Sequence, residues 1–249
     1  MNTLRHKIIA VALLALTTLS AGAYDFAGER LQYQIVYQWG VIWKHAGDAT
    51  LSMKRAGTGY LATLTGKTRS WADKVYPVRD TLLCTLNSKL QPLKYEKLTH
   101  EKDYHARDIV EFSYNYSHTN ARCKRIRKSG TQELTLSAKC QAYDMLSVFY
   151  MLRTLDFDQM ASSKKPHTTV IFSGKEKEYL TITSKGRGKV KLRNGTRHDA
   201  YHIVFKFTQK NGTKSSDNID AWISTDESHK PLLLVGHLPV GQVKCYLAN

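Results

Sequence analysis

The chain has 249 residues, with 37 Lys and Arg against 21 Asp and Glu and a formal net charge of +16. A positive balance of this size ordinarily points to nucleic acid, but the N-terminus directs the chain away from it. Length alone allows a sizeable buried core, as one large β domain or two small ones.

Arg5 and Lys7 precede an unbroken apolar run from Ile8 to Leu16, and Ala21-Gly22-Ala23 supplies the small residues that signal peptidase requires. The run is far short of the ~20 apolar residues that span a bilayer. Residues 1–23 therefore read as a cleavable signal peptide, with the mature protein beginning at Tyr24. No cysteine stands at the cut to accept a lipid, and no later stretch is apolar for long enough to form a membrane helix. The expected product is soluble and periplasmic or secreted. Losing two basic and no acidic residues leaves a charge of +14. Outside the cytoplasm such a charge meets anionic lipid head groups, lipopolysaccharide or acidic glycans, not nucleic acid. In Lys189-Val190-Lys191-Leu192-Arg193 the cations alternate with apolar residues, so part of the charge simply solvates strand faces.

The mature chain opens on period-2 alternation, with Leu31, Tyr33, Ile35 and Tyr37 on one face of a half-buried strand. Similar runs follow at 41–53, 59–67, 79–86, 92–101, 104–114, 120–128, 131–137, 168–173, 178–184, 189–193, 198–209, 219–224, 231–237 and 242–247. Gly57-Thr58-Gly59, Ser129-Gly130, Asn194-Gly195 and Asn211-Gly212 separate some of them, and the Asn-Gly pairs are strong tight-hairpin signals. A helical turn is expected at 70–75, stopped by Pro77. From Gln141 to Thr154 the spacing of Ala142, Met145, Leu146, Phe149 and Leu152 predicts an amphipathic helix, with Asp144 and Arg153 matching its dipole. No linker or fixed-period repeat divides the chain, so residues 24–249 read as a single domain. The fold class is mainly β: a large curved antiparallel sheet, half-barrel or barrel-like meander, with one amphipathic helix packed on it.

Chemistry-bearing patterns are weak. His100-Glu101-Lys102-Asp103-Tyr104-His105 resembles a zinc-protease motif, but its second histidine falls at i+5, where neither a helix nor a strand presents both rings on one face. The segment reads as a polar hairpin. No G-x-S-x-G elbow or P-loop occurs, and Gly186-Arg187-Gly188 is read as a cationic turn. Asp73 and Asp80 flank the 71–77 segment and are read as structural caps. No catalytic residue, metal ligand or cofactor is implied. Cys84, Cys123, Cys140 and Cys245 allow three fully paired connectivities. Of these, a Cys123–Cys140 bridge across the Ser129-Gly130 hairpin is geometrically plausible, and four free thiols are the alternative.

An ordered set of short segments adds to this reading. Gly28-Glu29-Arg30-Leu31, Ala46-Gly47-Asp48-Ala49, Tyr76-Pro77-Val78-Arg79-Asp80, Tyr143-Asp144-Met145-Leu146-Ser147, Tyr150-Met151-Leu152-Arg153, Ala221-Trp222-Ile223-Ser224, Pro231 and Val240-Gly241 together resemble exported bacterial proteins catalogued as domain of unknown function 3108. The resemblance implies location and fold but no activity. The tail is also similar to that of periplasmic lipoprotein-carrier half-barrels, in which a curved sheet wraps an apolar cavity. The expectation is a non-enzymatic binding protein for a lipid or other apolar ligand with an anionic head group, lined by Tyr33, Ile35, Trp43, Met145, Phe149 and Trp222. The alternative is a structural or assembly factor of the cell envelope with a filled core, docking an acidic partner on Lys124–Lys128. Further off stand a glycan-acting enzyme and an outer-membrane barrel, the latter disfavoured by charges on both strand faces and by a tail without a terminal aromatic.

Overall fold

The computed structural model describes residues 24–209, 212 and 218–248; residues 1–23, expected to be a signal peptide, and Asn211 lie outside them. Strands β1 (Arg30–Trp39), β2 (Ile42–Ala56), β3 (Gly59–Thr68), β4 (Arg79–Leu86), β5 (Pro92–Glu101), β6 (Tyr104–Asn115), β7 (His118–Arg127) and β8 (Gly130–Ala138) form an antiparallel meander. A helix, α1 (Ser70–Asp73), interrupts it between β3 and β4. A second meander follows: β10 (His167–Phe172), β11 (Lys177–Lys191), β12 (Arg197–Thr208), β13 (Ile219–Ser224), β14 (Pro231–His237) and β15 (Gln242–Leu247). Strand β15 pairs with β1, so both meanders belong to one 15-stranded sheet. Between them run the short β9 (Ala142–Tyr143), α2 (Ser147–Leu152) and α3 (Phe157–Ser163).

Tight glycine turns set the meander. Gly195 takes a φ of 89° and Gly57 a φ of 57°, which side chains with a Cβ avoid. The twist of so many strands curls the sheet until its far edges meet. Phe112 of β6 stacks on Phe172 of β10 at 5.8 Å, and the Ala142 amide donates to Thr119 Oγ1 at 3.1 Å. The result is a nearly closed, barrel-like sheet with α2 inside.

Three local expectations are corrected. First, residues 141–154 are not one helix. Ala142 and Tyr143 pair in parallel with Val170 and Ile171 of β10, and only Ser147–Leu152 is helical. Edge pairing of the backbone outweighs the helical period there. Asp144 does not merely complement a dipole: its buried carboxylate accepts from the Leu146 and Ser147 amides at 2.8 and 2.9 Å. Second, Gly186-Arg187-Gly188 is no turn. It sits inside β11, where a register shift against β12 absorbs the positive φ of Gly186. Third, Cys123 and Cys140 are not bridged. The hairpin is real, but its register sets Cys123 opposite Leu134, with Cys140 beyond the end of β8. Thr119 Oγ1 donates to the Cys140 carbonyl, and Cys123 stands four residues, or roughly 13 Å, along the strand from Thr119. Cys123 is buried and Cys140 exposed.

The polar hairpin at 100–105 is present. His100 and His105 are cross-strand partners with rings 4.9 Å apart. No group of three or more metal-ligating side chains occurs among the described residues.

Candidate functional site

The inward faces of β1–β4 are set by register. Tyr33 pairs with Ala49, Ala49 with Gly66, and Gly66 with Asp80; the next inward row is Leu31, Leu51, Leu64 and Leu82. Paired residues share a face, so these rows form one wall. Two of the first row are small, Ala49 and Gly66, and a Cβ added at Gly66 would meet no atom within 4 Å. The missing volume is a cavity of about 320 Å³ between this wall, β14–β15 and α2. Tyr33, Ile35, Ala49, Leu51, Leu64, Gly66, Asp80, Leu82, Phe149, Pro231, Leu234 and Cys245 line it. Asp80 is the ionisable carboxylate of the set, and its Oδ1 accepts the His100 amide at 3.0 Å. The Tyr33 hydroxyl is satisfied within the wall, donating to the Pro231 carbonyl at 3.0 Å. Burial pushes the Cys245 thiol up to about 11, so it stays protonated and apolar near neutral pH.

Helix α2 is gripped on its other sides. Leu146 and Tyr150 join the large core, while Val148, Met151 and Leu152 join a second cluster with β10–β13. Below it lies a buried ion pair. Both terminal nitrogens of Arg153 reach the Glu29 carboxylate at 2.6 Å, and Nε donates to the Ser228 carbonyl at 3.0 Å. The Arg153 guanidinium lies 4.5 Å from the Phe26 ring centroid, and its side chain is fully buried. Asp144, Ser147 and Cys84 make a second buried polar cluster, with Cys84 Sγ donating to Asp144 Oδ2 at 3.0 Å. Desolvation holds the Asp144 carboxyl above its ordinary range despite its hydrogen bonds, and it pushes the Cys84 thiol up as well.

The inward face of β5–β7 is different. Lys97 is the cross-strand partner of the cavity residue Leu82, and Asp108 is the next residue along that row. Asp108 is engaged by Arg127 at 2.7 Å and Arg125 at 3.4 Å. Lys97 has no carboxylate partner among the described residues.

Of the six residues expected to line a cavity, Tyr33, Ile35 and Phe149 do. Trp43, Met145 and Trp222 do not. Trp43 is exposed near the tip of β2, under the Lys244 ammonium at 4.3 Å. Met145 packs between the two core clusters. Trp222 points away from the inner cluster that takes its neighbours Ala221 and Ile223, and it stacks on His202 at 4.8 Å. Strand parity decides this: adjacent residues cannot share a face. Sequence reasoning missed the other lining residues, Ala49, Gly66, Leu64 and Leu82 of β2–β4 among them. The signal was the alternation in β2–β4 counted from the Leu31–Tyr33 face, which needed the register to be read.

A curved antiparallel sheet enclosing a helix and an apolar cavity defines the class: a β-barrel-like protein. The family model described as "Protein of unknown function (DUF3108)" matches residues 32–248, so the chain belongs to that family. Among solved structures it is similar to a β-barrel-like protein of domain of unknown function DUF1849 from Brucella abortus. That match has a TM-score of 0.63 at 10% identity and covers 88% of this chain and 95% of the other. At this identity the likeness concerns the fold alone. None of the curated proteins compared matches the chain. Segments far apart in the sequence meet in space: Glu29 and Arg153 form the buried pair, and Ala49 and Asp80 line the cavity.

Proposed function

We propose that the protein is an exported, non-enzymatic carrier that takes an apolar chain, such as a lipid acyl group, into the cavity beside Phe149. The observation that carries this reading is the cavity itself. Its walls are almost wholly apolar, and at about 320 Å³ it falls at the lower end of the range for small-molecule sites. Lys97, unpaired and on the same face as Leu82, is the cation for an anionic head group. The signal-like N-terminus supports a periplasmic or secreted setting, where such amphiphiles occur.

Gly66→Leu tests this directly. The position is a cavity wall where an added Cβ meets no atom within 4 Å, so a leucine side chain should occupy the cavity. Uptake of a fluorescent fatty acid should fall at least tenfold while the unfolding midpoint holds or rises. Undiminished uptake would sink the reading. Native mass spectrometry of protein purified from its own envelope should show a bound lipid in the wild type, absent from the variant. A protein that carries none and binds no fatty acid is a filled scaffold of the envelope instead.

A further inference from the structure

The strands alternate in direction, so one end of the barrel gathers the β1–β2, β3–β4, β5–β6, β7–β8 and β14–β15 connections, among others. Large apolar side chains are exposed there. Val41 is 95% exposed, Val75 74%, Trp39 58% and Val240 57%, and Ile42 and Leu238 join them. The β1–β2 and β14–β15 tips are fixed side by side: Tyr37 Oη donates to the Val240 carbonyl at 3.0 Å, and Gln242 Nε2 to Gln38 Oε1 at 2.8 Å. Gly241 permits the close approach, since a Cβ there would lie 2.3 Å from the Gln38 carbonyl oxygen. The exposed residues are therefore one held surface on protruding hairpins.

We infer that this end of the barrel docks onto an anionic lipid membrane surface. Charge supplies the second argument. Lys44, Lys74, Lys102, Lys128 and Lys244 stand at this end with no carboxylate partner among the described residues. Among the described acids of these connections, Asp48 pairs with Arg69, Asp73 with Arg79 and Glu101 accepts from the Tyr76 hydroxyl, leaving Asp80, which accepts the His100 amide, and Asp103. Two of the lysines lie over indoles, Lys44 over Trp71 at 4.7 Å and Lys244 over Trp43 at 4.3 Å. Trp and Lys in this proximity suit the head-group zone, where the ring sits at the boundary and the ammonium reaches the phosphates. Convex apolar tips enter a fluid surface without needing a matched shape, whereas a protein partner would require a complementary pocket for each. The cavity wall is continuous with this surface, because β1 runs from Tyr33 and Ile35 to Trp39 at the tip. Docking there would set the cavity next to the source of its ligand, but it does not depend on the cavity being occupied.

The test is partition onto unilamellar vesicles, comparing phosphatidylglycerol–phosphatidylethanolamine with pure phosphatidylcholine. The wild type should sediment with the anionic vesicles and show a blue-shifted tryptophan emission. Val41→Glu combined with Val240→Glu alters exposed positions, so the unfolding midpoint should not move, yet partition should fall at least tenfold and the blue shift vanish. Partition undiminished in that variant, or no binding by the wild type to anionic vesicles, overturns docking. So does a wild-type dimer that the variant dissolves without any vesicle binding. Gly66→Leu should bind vesicles like the wild type, so failure of the carrier reading and failure of docking remain separate results.

Discussion

Phe149 and Tyr150 are adjacent in α2 and similar in size, yet they stand in opposite surroundings. Tyr150 is fully buried, edge-on to Phe26 at 5.4 Å and close above the Arg153 guanidinium. Phe149 is half-buried and faces the cavity. The helix is thus held firmly from below and from the β10–β13 side, while the flank toward β1–β4 is left partly empty. A barrel interior can be packed for stability on one side of a plug and kept open on the other.

The largest test of that asymmetry is Arg153→Met, which leaves Glu29 buried without its partner. It should cost about 3–5 kcal/mol in urea unfolding, and pairing it with Glu29→Leu should recover most of the loss. A cost below about 1 kcal/mol would show that the lower flank is not held by the ion pair. On the open side, Phe149→Ala should cost only about 1–2 kcal/mol in ligand-free protein, because the lost contacts are few. A filled core would give about 3–5 kcal/mol, and that figure would break the comparison.

Asp144 sharpens it through pH. Burial raises its folded pKa above the unfolded value, so the folded state holds this proton more tightly. Its contribution is therefore fully present below the unfolded pKa and lost as pH rises through the folded one. Asp144→Asn keeps an oxygen for the Leu146 and Ser147 amides, so it should flatten that part of the stability profile; an unchanged profile would clear Asp144 of the role. The smallest effect concerns thiols. Cys140 should alkylate rapidly in the native protein, while buried Cys84 should react only on unfolding. Peptide mapping after brief labelling reads both, and recovery of a Cys123–Cys140 disulfide would contradict the observed register.

Much of the fold is legible in the sequence. The Leu31–Tyr33–Ile35 alternation, the Asn194-Gly195 and Ser129-Gly130 turns and the 100–105 hairpin are local, and local signals fix local structure. Of the site, only Tyr33, Ile35 and Phe149 among the lining residues are legible. Tyr33 and Ile35 belong to the first strand, whose buried face is plain. For Trp222 and Trp43 residue type offers no guide, because it says nothing about which face a strand residue occupies. Gly66 and Ala49 carry almost no signal, because a small residue shapes a cavity only by what its neighbours leave unfilled.

Periodicity and turn residues specify an antiparallel β chain, its hairpin turns and a segment near 141–154 that must bury apolar side chains. The return of β15 to β1, the enclosed and shortened helical link and the meeting of Glu29 with Arg153 arise only in the folded barrel. Those outcomes depend on contacts between residues far apart in the chain. Their free energy exists only once the sheet has curled, so no local window of sequence contains it.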